Sequence, residues 1–109
     1  MSEDVEELRA KLIGETGKLE WPELERHFAR GVVVAVNPGI DLIEVALSIA
    51  NDDKAAMEKW FDAGTVRRAE TADAEAWVKT QPLFWAVVIA PWVVIQEIDD
   101  SAEKPGELH

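Results

Sequence analysis

The chain sorts into apolar stretches separated by turn residues, and the period of each stretch points to its element. Val5, Leu8 and Leu12 recur at helical spacing. They stand behind Ser2, a suitable cap, and behind Glu3, Asp4, Glu6 and Glu7, which suit the positive end of a helix. Gly14 and Gly17 bracket its stop. EWPELERHFARG predicts a second helix, with Pro22 in its first turn, Gly31 at its end and a stripe of Trp21, Leu24 and Phe28. GVVVAVN follows as a strand that is apolar on both faces, which predicts a central place in a sheet.

From Asp41 the pattern DLIE predicts a capping box, Asp41 accepting from the first free N–H groups and Glu44 reaching back. The helix it opens, to Ala50, is apolar nearly all round, so either this chain or a second subunit must cover it. NDDK caps a further helix, AAMEKWFDAG, in which Ala56, Met57, Trp60 and Phe61 share a face. TVRRAE alternates like a short strand. Thr71 or Asp73 opens one more helix with Ala74, Trp77 and Val78 inward, and Pro82 ends it.

The apolar run Leu83 to Ile95 completes the sheet. Pro91 marks either a tight turn between two strands or a bulge in one long strand; Ala-Pro is a poor two-residue hairpin turn, which favours the bulge. Trp60 and Trp77 lie on helix stripes and are expected in the core, whereas Trp21 and Trp92 are expected to be partly exposed. The order is roughly ααβααβαβ(β). It predicts an α+β domain, a small mixed β-sheet packed against four to five helices, over residues 1–98. An acidic solvated tail follows at 99–109.

Composition narrows the function more than the fold. At 109 residues the chain suits one core, and 48% apolar with 30% charged residues is a globular balance. The absence of cysteine excludes disulfides and thiolate metal sites and suggests a reducing compartment. The opening MSEDVEELRAK is acidic and amphipathic, unlike a secretory leader, so a cytoplasmic location is expected. The run at 83–95 is too short to cross a bilayer as a helix.

Charge changes the picture only once it is located. Of the net −11, residues 1–25 carry eight acids against three bases and residues 96–109 five against one, leaving the middle nearly balanced. Direct binding to nucleic acid or to anionic membrane is disfavoured. A nucleic-acid mimic that binds a basic protein stays open beside the plainer reading of a solvated surface.

Candidate chemistry is sparse. The strand–turn–helix VVVAVNPGIDLIEVA invites comparison with a phosphate loop. It has one glycine and no Lys-Ser/Thr pair, and Asp41 and Glu44 already place anions where a phosphate would sit. Glu23 and His27, at i and i+4, are within reach of each other as an oriented base, half a metal site or a surface ion pair. Only one other histidine exists, at the C-terminus, which removes histidine-rich zinc sites. Asp41, Glu44, Asp52 and Asp53 could gather around magnesium only if opposite ends of one helix met. Ser2, Ser48 and Ser101 lack a credible base, so no catalytic residue is assigned.

The runs WPELERHFARGVVV, IDLIEVA, NDDKA and LFWAVVIAPWVVIQE, in this order between Leu8 and Glu97, resemble a family of short bacterial proteins, domain-of-unknown-function family twenty-two eighty-eight. The resemblance implies a bacterial single-domain protein and carries no activity or site residue with it.

The chain therefore reads as a non-enzymatic interaction module that associates with itself, as a homodimer, with no cofactor or metal. The first alternative is a small-ligand domain. Its candidate pocket lies near Trp21, Glu23, His27 and Asp41, beside Glu44, with Trp92 as a possible wall. The second is an acidic binder of a basic protein.

Overall fold

The computed structural model describes residues 2–98, with side chains from Val5 onward. The elements are α1 (Ser2–Glu15), β1 (Gly17–Glu20), α2 (Trp21–Ala29), β2 (Val33–Val36), α3 (Leu42–Ala50), α4 (Lys54–Ala63), β3 (Val66–Arg68), α5 (Thr71–Thr80), β4 (Leu83–Ile89) and β5 (Trp92–Glu97). They form the expected α+β domain with a mixed sheet, in the order β1-β4-β5-β2-β3. Only β2 and β5 run parallel, with Val33 opposite Val93; the other neighbours are antiparallel. The Ser2 cap concerns a side chain outside those described, and the tail at 99–109 lies outside the described residues.

Successive side chains of a strand point to opposite faces, and here both faces are covered. Val34, Val36, Trp85, Val87 and Val94 pack with Leu12 of α1 and with α3, and Trp60 of α4 joins them. Their chain neighbours Val33, Ala35, Phe84, Ala86, Val93 and Ile95 pack on the other side with Trp21 and Leu24 of α2 and Trp77 of α5. This two-sided burial explains the unbroken valine runs. Strand β2 is buried at all four positions, as its apolar faces foretold.

Helix α3 is the all-round apolar helix. Leu42, Ile43, Val45, Ala46 and Leu47 are buried. Helix α1, helix α4 and the sheet strands β4 and β5 supply the cover from the same chain.

Several expectations are corrected. Trp21 is only 3% exposed rather than a surface residue. It meets Trp77 at 5.7 Å and Phe28 at 5.9 Å, while Trp77 meets Phe84 edge-on at 5.1 Å. Strand β1 ends at Glu20 and α2 begins at the next residue, so Trp21 starts its helix beside the sheet and packs into the cluster on that face. Val78, expected inside, is 54% exposed. Pro91 sits in a turn, not a bulge. Ile89 pairs with Trp92 across a two-residue connection in which the Ala90-Pro91 peptide is cis. A trans Ala-Pro would serve that turn badly; turns with a cis proline at their third position are a recognised class.

One element joins those expected. GKLE forms edge strand β1 against β4, Lys18 opposite Trp85 and Leu19 opposite Phe84. The buried Thr16 hydroxyl donates to the Leu12 carbonyl at 2.7 Å and closes the preceding helix.

Candidate functional site

Several carboxylates hold helix ends. Asp41 accepts from the N–H groups of Ile43 at 2.9 Å and Glu44 at 3.4 Å. The expected capping box is only half formed, because Glu44 turns away to pair with Arg9 of α1. The hydrogen bond that Arg9 donates to Glu44, with the carboxylate's charge, holds the guanidinium pKa above its ordinary value. Glu23 likewise turns back and accepts from the Glu20 N–H at 3.1 Å instead of reaching His27. Asp53 accepts from Ala56 N–H at 3.2 Å. Asp73 accepts from Glu70 N–H at 2.8 Å and pairs with Arg67 at 2.5 Å.

The NPG turn after β2 is held, not open to an anion. The Gln96 side-chain amide donates to the carbonyls of Asn37 at 2.9 Å and Ile40 at 2.6 Å. Beside it, a gap of about 40 Å³ reaches Arg67 and Glu97, room for a water or two and no larger ligand.

A larger cleft opens on the α3–α4 side of the sheet, with a volume of about 330 Å³. Val34 of β2 forms its floor, and Ser48, Ile49 and Asp52, at the C-terminal end of α3, form one wall. Met57 and Phe61 of α4 form another, and Arg68 and Trp92 close it from β3 and β5. Alternation places these last two: Arg68 lies two residues from the buried Val66, hence on the same face, while Arg67 goes to the opposite face.

The cleft's polar groups are positioned. The Arg68 guanidinium lies 5.3 Å from the centre of the Trp92 ring and donates to the Gly31 carbonyl. The α3–α4 turn is fixed by backbone bonds from Asp52 N–H to Ile49 and from Asp53 N–H to Ser48. Asp52 takes a left-handed conformation there, φ 56°, and the neighbouring Asp53 serves as the cap of α4. Asp52 itself is exposed and lines the cleft.

The residues singled out from sequence do not converge. Trp21, Glu23 and His27 belong to α2, across the sheet from the cleft. Asp41 and Glu44 stand at the N-terminal end of α3, one nine-residue helix away from Asp52, roughly 13 Å at the usual rise. Only Trp92 of the six lines the cleft. Arg68 carried a readable signal through strand alternation, whereas Asp52 lies in the turn beyond α3 and shares no helix face with Ser48. Among the described residues no three His, Cys, Asp or Glu side chains gather as a metal site. No helix there is long and apolar enough to cross a membrane.

The model of the family described as Protein of unknown function (DUF2288) matches residues 7–97. The chain belongs to this family. Among solved structures, this DUF2288 chain is similar to the NMR solution structure of PA1075 from Pseudomonas aeruginosa. Identity is 41%, over 92% of this chain and 89% of that one, with a TM-score of 0.76. That relative's source agrees with the bacterial resemblance. No curated protein matches the DUF2288 chain.

Proposed function

We propose that this chain is a non-enzymatic binding module whose working surface is the cleft between α3, α4, β3 and β5. The observation that carries the reading is a mostly apolar hollow of about 330 Å³ with an arginine fixed against an aromatic wall. Small-molecule sites typically combine such a lining with a few placed polar groups. The non-enzymatic part rests on how the reactive groups are used. Asp41, Asp53, Asp73 and Glu23 hold helix ends. The hydroxyls of Ser48, Thr65 and Thr80 donate to backbone carbonyls.

A thermal-shift screen of small metabolites tests the reading. A ligand at a hundred times its dissociation constant stabilises the fold by about 2.7 kcal/mol. The expected outcome is a shift for at least one compound that Phe61→Asp, at the cleft wall, abolishes. No shift across a broad library overturns it.

Self-association is the second reading, favoured by surface valines: Val88 is 57% exposed on β4, and Val78 is exposed on α5. Helix α3 adds nothing to it, since the same chain covers that helix. Light scattering at micromolar concentration is expected to give a dimer, and a clean monomer removes this reading.

A further inference from the structure

Resting on the cleft reading above, we infer that the ligand is a small zwitterion with an apolar substituent, in chemical class a free amino acid with a hydrocarbon or aromatic side chain.

Three features of the cleft select this chemistry. Its walls are largely apolar: Val34, Ile49, Met57 and Phe61 offer nothing for a polar substituent to bond, and the Ser48 hydroxyl already donates to the Glu44 carbonyl. A cation and an anion share the same hollow, Arg68 from β3 and Asp52 from the α3–α4 turn. Ser48 and Ile49, in the last turn of α3, also line the cleft, and the partial negative charge of a helix C-terminus favours a cation.

Each simpler ligand fails on one of these. A hydrocarbon fills the walls but strips water from two charged groups and returns no hydrogen bond. A carboxylate alone suits Arg68 and is repelled by Asp52. An amine alone suits Asp52 and is repelled by Arg68. A zwitterion satisfies both ends at once, and its side chain takes the apolar wall.

Arg68 is prepared for the carboxylate. A guanidinium carries five N–H donors in a planar fork. One nitrogen of Arg68 is tied to the Gly31 carbonyl, and the Trp92 ring supports the group from the side. Little side-chain freedom is left to lose on binding, and donors remain for a ligand carboxylate. The ammonium is assigned to Asp52 and the end of α3. A cleft of about 330 Å³ lies at the lower end of the usual range for ligand sites, which suits a molecule the size of leucine or phenylalanine.

Titration of the whole chain with leucine and phenylalanine, followed by amide and indole NMR shifts, tests this. The same titration is run with 4-methylpentanoate, which lacks the ammonium, and with isoamylamine, which lacks the carboxylate. The expected result is a saturable shift of the Trp92 indole and the Phe61 amide with an amino acid. Each truncated analogue is expected to bind about tenfold more weakly or worse, since it leaves one charged group unpaired. Asp52→Asn is expected to weaken the amino acid by a similar factor while leaving the melting temperature in place, because asparagine tolerates the left-handed conformation at this turn. Arg68→Met is expected to weaken it as well, with a melt confirming that the variant is folded.

Analogues that bind as tightly as the amino acids, or a screening hit of another class shifting these same signals while no amino acid does, overturn this inference and leave the cleft as a binding site. If no compound in the screen or the titrations moves the cleft signals, both readings fall together.

Discussion

Gln96 joins two parts of the chain that are nearly sixty positions apart in sequence, its amide donating to both Asn37 and Ile40. Gln96→Ala removes both bonds and leaves two partly buried carbonyls to find water. The expected loss is about 1–3 kcal/mol, read from urea denaturation with an unchanged m-value. Nothing local in the sequence announces this bond, because its partners are backbone atoms. Local chemistry was readable where a side chain serves its own helix, as with Asp41 and Asp53. It misled where a second partner competed. Glu44 has Arg9 across from it, and Glu23 has the Glu20 N–H beside it. Spacing alone shows that Glu23 and His27 could meet; it does not show that the helix terminus has a prior claim on the carboxylate.

At the scale of elements, periodicity located every helix and the strands richest in valine, because burial of one or both faces writes itself into the residue pattern. Strand β1 escaped because GKLE has one apolar position, and its partner β4 lies more than sixty residues away. The hairpin escaped because its turn depends on a peptide geometry that composition does not reveal. The helices of the second face meet the sheet through one aromatic group. Trp77 touches both Trp21 and Phe84, and its indole donates to Glu97 at 3.4 Å. Trp77→Ala is therefore expected to destabilise the chain by about 3–5 kcal/mol and to loosen α5 first. Hydrogen exchange is the measurement: amides of α5 should lose protection well before those of β2 and β5.

For the molecule as a whole, the architecture was legible and the cleft was not. A sheet apolar on both faces implies helices on both faces. The hollow, however, is assembled from five elements and a turn spread over residues 34–92. Phe61 and Met57 look like ordinary core residues in sequence, yet Phe61 is exposed and Met57 half-buried; Trp92 is half-buried, as expected. The acidic end belongs to this scale too. The family match ends at Glu97, and the last described backbone bond to the sheet runs from the Ile98 N–H to the Leu83 carbonyl. A chain shortened to residues 1–98 is expected to keep the melting temperature of the full chain. A drop of several degrees would show that 99–109 belong to the fold.

The parallel pairing of β2 with β5 has a further consequence for how the chain comes into being. Val33 waits for Val93, so the middle of the sheet stays open until the last strand has been synthesised. On a ribosome, β2 and β3 can pair early as one hairpin-like unit, and β1 can meet β4 later as another. The two halves are joined only when β5 slides in between them. Nascent chains arrested before Trp92 should therefore remain protease-sensitive, and protection should arrive in one late step.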